Sequence, residues 1–167
     1  TKTELDKLLQ KATKANLKYI LVIRGDGGPL LPKLDAASIG GSKSVATSID
    51  LIRYINREYP GQFITGAAFN PYKSMPFELN RMKQKIDAGA KYVVTQPIIG
   101  QDENVDKLKD FNLPIVVEAW MSKNIDLLYR SVGKDKDERA EKYDPTANLK
   151  ALHASYPDCG RVVFFCP

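Results

Sequence analysis

Four short apolar runs in this 167-residue chain each end in a small polar group, and those endings are where chemistry is expected. Residues 19–23 (YILVI) lead into Arg24-Gly25-Asp26-Gly27-Gly28-Pro29, and residues 63–69 (FITGAAF) into Asn70-Pro71. Residues 92–95 (YVVT) lead into Gln96-Pro97, and residues 113–117 (LPIVV) into Glu118-Ala119-Trp120. Any one of these has an ordinary explanation as a turn or a helix cap, since Gly, Asp, Asn and Pro are the usual loop residues. Four in succession suggest a pocket. The loop after the first run has neither G-x-G-x-x-G nor a Gly-Lys-Ser/Thr ending, so neither nucleotide motif is met. It stays open between a phosphate cradle and a carboxylate, Asp26, held close to a polar heterocycle with Arg24 two residues before it. An RGD tripeptide at the end of a buried strand is not read as an adhesion signal. Glu118, directly after an apolar run, should be partly desolvated, which raises a carboxyl pKa; the alternative is a Glu paired with a buried Lys or Arg.

Other chemistries are poorly supplied. The one histidine, His153, falls on the last helical segment, away from the strand ends, so a Ser-His-Asp triad is excluded. One His and two Cys make a poor metal-ligand set, and Cys159 and Cys166 read as reduced intracellular thiols.

The runs are continuous rather than alternating, as expected for parallel strands buried on both faces. Strands are predicted at 18–23, 62–68, 91–95, 113–118 and 161–165. Amphipathic segments separate them. Residues 4–15 carry Leu5, Leu8, Leu9 and Ala12 as one stripe, with Thr3 as the helix start. Residues 44–58 carry Val45, Ile49 and Ile52 and stop at Pro60-Gly61. Residues 76–88 carry Leu79, Met82 and Ile86, with Gly89 as the C-terminal cap. Residues 104–111, 124–132 and 145–155 are further helices, and the charged stretch 133–144 is a surface excursion. Near-strict alternation of strand and helix means parallel strands with right-handed crossovers, an α/β fold in a single domain, 1–167. Periodicity alone does not separate an open doubly wound sheet from a piece of a barrel. In both, ligands bind at the C-terminal strand ends.

Composition narrows the classes further. The chain is 43% hydrophobic and 27% charged, the profile of a soluble globular domain. The net charge of +5 is dispersed, which argues against a nucleic-acid partner, and no run is long enough for a transmembrane segment. No signal-peptide pattern opens the sequence, and a start at Thr1 points to a processed, truncated or unobserved N-terminus.

The segment from Arg81 to Pro97, RMKQKIDAGAKYVVTQP, resembles the L-x-x-K-x-D-A-G-A-x-x-x-x-T-Q signature of methylenetetrahydrofolate reductases. Ile23-Arg24-Gly25-Asp26 resembles that family's L-R-G-D strand end, and Gly66-Ala67-Ala68-Phe69-Asn70-Pro71 its G-(A/V)-A-x-x-P strand. The three occur in the family's order and at roughly its spacing. The resemblance implies a (β/α)₈ barrel that binds FAD and reduces 5,10-methylenetetrahydrofolate to 5-methyltetrahydrofolate, with NADH or NADPH as hydride donor. Carried over by motif, Arg24, Gly25 and Asp26 contact FAD, and Asp26 is the catalytic residue near the flavin and folate, where it tunes the electrostatics of the site. Phe69 touches the flavin, Glu78, Arg81 and Lys85 hold its ribose and diphosphate, and Gln96 hydrogen-bonds the pterin of the folate substrate. Arg81 and Lys85, at i and i+4, suit a diphosphate, and Gln96 offers both donor and acceptor to a pterin edge. The plain alternative for Lys85 is a solvated helix charge.

The chain also departs from the family pattern. Its strands correspond to the fourth to eighth of the barrel. The general-acid Glu of the first strand is therefore expected to be missing, and with it folate reduction by this chain alone. Glu118-Ala119-Trp120 stands where many members have Pro-Gly. A five-strand piece would expose two sheet edges, so an oligomer or partner chain covering them is expected. The alternatives are a non-catalytic structural subunit of a larger assembly and an electron-transfer flavoprotein. The expected compartment is cytoplasmic, or else the mitochondrial matrix.

Overall fold

A computed structural model of the protein describes residues 1–23, 32–133, 135 and 143–164. Arg24, Gly25 and Asp26 lie outside the described residues, as do Cys166 and most of the charged stretch 133–144. Among the described residues the order is α1 (Lys2–Lys14), β1 (Tyr19–Val22), α2 (Ser48–Glu58), β2 (Ile64–Phe69), α3 (Met75–Asp87) and β3 (Tyr92–Thr95). There follow α4 (Glu103–Asp106) with a 3₁₀ turn at Lys107–Phe111, β4 (Ile115–Trp120), α5 (Ile125–Val132), α6 (Pro145–Ser155) and β5 (Gly160–Phe164). The strands form one sheet in the order β1-β2-β3-β4-β5. The pairs β1–β2, β3–β4 and β4–β5 are parallel. Lys91 N donates to Thr65 O and Gln96 N to Phe69 O, both at 2.8 Å, so β2 and β3 also advance together. A doubly wound sheet reverses its strand order at a switch point. This one does not, and its sequential order is that of a barrel-type sheet.

Two compact units divide the chain: Thr1–Ala68 with Arg81–Tyr92, and Phe69–Asn80 with Val93–Pro167. In the first, α1 is capped by Thr1, whose hydroxyl accepts from Glu4 N while the Glu4 carboxylate reaches back to the Thr1 amine. The start is therefore Thr1 and not Thr3: Glu4 closes the capping box on Thr1, while Asp6, three positions after Thr3, accepts from Lys2 and Tyr54 instead. The apolar stripe of α1 is narrower than its sequence suggests: Leu9 is buried, while Leu8 is exposed. Tyr54, buried on α2, donates its hydroxyl to Asp6 of α1, and Lys2 donates to the same carboxylate at 2.7 Å. Helix α2 begins only at Ser48, capped by Thr47, and Val45 instead makes an isolated antiparallel bridge with Asp35.

Alternation along β1 and β2 separates two faces. Val22 and Ala67 are partners in register and are buried. On the other face Tyr19, Leu21, Ile23 and Ile64 are 70, 39, 57 and 38% exposed. Gly66 is required on that face. A Cβ there would stand 2.2 Å from Tyr92 Cζ, so the Tyr92 ring lies across the glycine, with the Tyr19 ring edge-on to it at 6.0 Å.

In the second unit β4 alternates in the same way: Ile115, Val117 and Ala119 are buried, and Val116 and Glu118 are half-buried. Helix α6 packs on β4. Its buried Asn148 accepts from Gly100 N at 2.7 Å and donates to Ile98 O at 3.1 Å, tying the segment after β3 to the helix. Tyr156 OH accepts from Asp102 N and donates to Asp102 O. Trp120 closes β4 by packing with Ile125 and Leu128 of α5. His153 is exposed on α6, where only its carbonyl is used, by Arg161.

Replacing Gly66 with Ala should destabilise the protein by about 1–3 kcal/mol, the usual cost of overpacking. Combining it with Tyr92→Leu should recover part of that loss in urea denaturation. No recovery in the double variant would show that the ring is not what the glycine accommodates.

Candidate functional site

The polar groups of the second unit collect where β2, β3 and β4 end. At β2, Asn70 N donates to Glu78 Oε1 at 3.2 Å, and Asn70 Oδ1 accepts from Tyr72 N at 3.0 Å. Glu78, on the first turn of α3, is only 5% exposed. Tyr72 OH donates to Pro97 O at 2.6 Å, and burial pushes the Tyr72 hydroxyl well above the ordinary tyrosine range. Asn104 Nδ2 donates to Pro71 O at 3.1 Å. The turn after β2 is thus held to α3, to the end of β3 and to α4. Phe69, the last residue of β2, is fully buried.

β3 and β4 each carry a polar side chain near the C-terminal end. Glu118 lies two residues past Val116, the partner of Val94, and Gln96 follows β3, where the register shifts by one so that Ile98 pairs with Ala119. Their backbones are fixed: Glu118 N donates to Thr95 Oγ1 at 3.1 Å, Ile98 N to Glu118 O at 3.1 Å, and Gln96 N to Phe69 O. Their side chains are half-buried, and neither makes a hydrogen bond among the described residues. Burial alone pushes the Glu118 carboxyl up to about 7, with no nearby charge contributing. Among the described residues the structure therefore gives the desolvated carboxyl and not the ion pair. Glu118 also lies inside β4 rather than after it, because the strand runs on to Trp120.

In the first unit, Lys85 is 6% exposed and donates its Nζ to Ala68 O at 2.6 Å. It is not a solvated helix charge. Arg81 is half-buried one turn before it. Glu78, Arg81 and Lys85 stand at i, i+3 and i+7 on α3 and so share one stripe. The apolar pattern had placed the buried face of this helix on Leu79, Met82 and Ile86. Met82 is indeed fully buried, but Glu78 and Lys85 are more buried than Leu79 and Ile86. The sequence signals for this were the family motif that includes Glu78 and Lys85 and the i, i+4, i+7 spacing of Glu78, Met82 and Lys85.

Arg81 and Lys85 put two cations on one stripe of α3, a donor set whose chemistry suits a diphosphate. Among the described residues no group of three or more His, Cys, Asp and Glu could hold a metal ion. Nor is any described helix long and apolar enough to cross a membrane.

Glu118 makes a prediction about stability. Its carboxyl is protonated in both folded and unfolded chains below its ordinary value of 4.5. As pH rises through about 7 the unfolded chain ionises first, so stability falls across that window and the full cost stands above it. Glu118→Gln should raise the melting temperature at pH 8 and give no such gain at pH 4.5. The effect should be on the order of 1 kcal/mol, since a half-exposed carboxyl is partly screened. A difference in melting temperature that does not change with pH would contradict it.

A family model described as methylenetetrahydrofolate reductase matches residues 1–121. Methylenetetrahydrofolate reductase 1 of Schizosaccharomyces pombe is 29% identical over 133 residues, 71% of this chain and 21% of that protein. Methylenetetrahydrofolate reductase 2 of Saccharomyces cerevisiae is 31% identical over 112 residues, 61% of this chain and 18% of that protein. A Caenorhabditis elegans protein named probable methylenetetrahydrofolate reductase (NADPH) is 33% identical over 100 residues, 57% of this chain and 14% of that protein. The chain spans about a fifth of the length of the curated relatives it matches.

Proposed function

The chain belongs to the methylenetetrahydrofolate reductase family, and from that premise we propose that it forms part of a flavin-dependent reductase that converts 5,10-methylenetetrahydrofolate to 5-methyltetrahydrofolate. The observation that carries the reading is the position of the motif residues. The family match covers all of β1 to β4, and Gln96 lies at the C-terminal end of its strand, where α/β folds bind ligands. In this reading the five strands are the fourth to eighth of one barrel domain, and further chain covers the exposed face of Tyr19, Leu21, Ile23 and Ile64. NADPH as hydride donor agrees with the name of the Caenorhabditis elegans relative.

Each residue then has a physical task. FAD, when bound, supplies the two-electron transfer. Lys85 and Arg81 neutralise its diphosphate, and the bond from Lys85 Nζ to Ala68 O fixes that cation at the end of β2. Glu78 accepts from the ribose, and its bond to Asn70 N keeps the carboxylate at the strand end. Phe69, expected to touch the flavin, is fully buried, and its task is instead to stiffen the end of β2. Gln96 orients the pterin by donating and accepting at once. Asp26, with Arg24 and Gly25 beside it, places a negative charge near the positive character that develops on the folate.

Asp26→Asn in the full-length protein separates the site role from a turn role, since Asn shapes a turn as well as Asp does. The expected result is an unchanged melting temperature and flavin content with folate reduction lowered about 10²-fold or more. A lowered melting temperature with normal turnover per folded molecule would confine Asp26 to the loop's shape.

A further inference from the structure

Past the end of β3 the register with β4 shifts by one residue, and Pro97 accounts for it. Counting on by twos from the bond between Val93 N and Pro114 O, in-register pairing would bring the N–H of residue 97 opposite Glu118 O. Residue 97 is a proline and has no N–H to give. Ile98 N fills that place, donating to Glu118 O at 3.1 Å, and Ile98 pairs with Ala119 rather than with Trp120. Residues 95–97 thus stand against 117 and 118 alone, a β-bulge with its extra residue on the β3 side. Inside the bulge Glu118 N donates to Thr95 Oγ1 at 3.1 Å, so a side chain supplies an acceptor between the strands. The adjoining points are fixed as well. Gln96 N donates to Phe69 O at 2.8 Å, Pro97 O accepts from Tyr72 OH at 2.6 Å, and Ile98 O accepts from Asn148 Nδ2 at 3.1 Å.

One extra residue reverses the alternation of side chains beyond it. Before the bulge Val93 and Thr95 are buried while Val94 and Gln96 are half-buried, in strict alternation. After it Pro97 and Ile98 are both buried, Ile98 completely, and so is its partner Ala119. An unbroken strand would have placed Ile98 on the Gln96 face, two positions on and about 6.6 Å away. The bulge withdraws that side chain, and Gln96 becomes the last residue that β3 contributes to its face. Bulges recur beside ligand sites, where they re-aim a side chain.

We infer that Thr95 is a positioning residue: its hydroxyl holds the bulge that aims the Gln96 amide at the folate ring and turns Ile98 away from it. This rests on the proposed function, in which Gln96 orients the pterin, and adds Thr95 to it as a residue that acts through Gln96. Thr95 is 1% exposed, so it does not itself touch the substrate. The hydroxyl is the group that matters, because Val keeps the shape of Thr and leaves Glu118 N without that acceptor. A threonine that only joined β3 to β4 would bear on stability and not on the ligand.

The test uses the full-length protein, with flavin content, melting temperature and calorimetric titration of 5-methyltetrahydrofolate measured on each variant. Thr95→Val should weaken 5-methyltetrahydrofolate about ten-fold, the loss expected for one misdirected hydrogen bond to a ligand, with flavin content unchanged. Thr95→Ser keeps the hydroxyl and should bind within about three-fold of the wild type. In the background of Gln96→Ala, adding Thr95→Val should cost less than about two-fold, because the hydroxyl acts only through that amide. A further loss as large as in the wild-type background would overturn the inference, since Thr95 would then act independently of Gln96. Wild-type affinity in Thr95→Val, with or without a lowered melting temperature, would overturn it too and confine the threonine to a structural role. Should Thr95→Val fail to fold, Pro97→Ala tests the same bulge by restoring the N–H that permits in-register pairing. A loss of the same size is expected there, and wild-type affinity would overturn the inference. A wild type that binds neither flavin nor 5-methyltetrahydrofolate would remove the proposed function itself, and the inference with it. Unchanged folate binding in Gln96→Ala would remove the task proposed for Gln96, and the inference again, a result distinct from either failure at Thr95.

Discussion

In-register parallel pairing is the constraint on which the rest of this structure depends. Along a strand every second residue faces the same way, so register decides which side chains meet. The partnerships of Val94 with Val116 and of Glu118 with Val162 decide which side chains meet on the half-buried face. A slip of one residue would instead send Glu118 into the buried face, where Thr95, Val117 and Ala119 are fully enclosed. Burial of that face therefore fixes what the opposite face presents, although the two share no side chain. The Thr95 hydroxyl reinforces the register by accepting from Glu118 N across the strands.

Helix α3 shows the same economy at the end of β2. A buried lysine and a buried glutamate are costly unless bonded. Here Lys85 donates to Ala68 O in one unit and Glu78 accepts from Asn70 N in the other. The bonded backbone atoms lie two residues apart, on either side of Phe69. Groups that would serve a cofactor also tie helix to strand, so changes at either position are expected to alter folding and binding together.

Much of this was legible in the sequence because it rests on local patterns. The four apolar runs and the closing RVVFF gave the strands, and the polar residues after the second, third and fourth runs lie at or near their C-terminal ends. Periodicity did not separate the barrel-type sheet from a doubly wound one, since that needs strand order, a long-range property; only the resemblance of the motifs pointed to a barrel. Nor was the end of β4. Ala119 and Trp120 look like a loop after PIVV, and it is the packing of Trp120 on α5 and the pairing of β5 that extend the strand past Glu118. The two buried charges of α3 were hidden for a related reason: hydrophobic periodicity assigns charged residues to the solvent side, and tertiary bonds to strand ends override it. That the Glu118 carboxyl has no ion pair among the described residues likewise needed the structure, because the sequence is rich in Lys and Arg whose distances it does not state.

The central claim is that these strand ends serve electron transfer to a folate. It is tested most directly in the full-length protein by reducing its bound flavin with NADPH without oxygen and then adding 5,10-methylenetetrahydrofolate. The account predicts that the visible flavin absorbance returns and that one 5-methyltetrahydrofolate forms for each flavin reoxidised. A flavin that stays reduced in the presence of the folate, or a full-length protein that takes up no flavin, would contradict it.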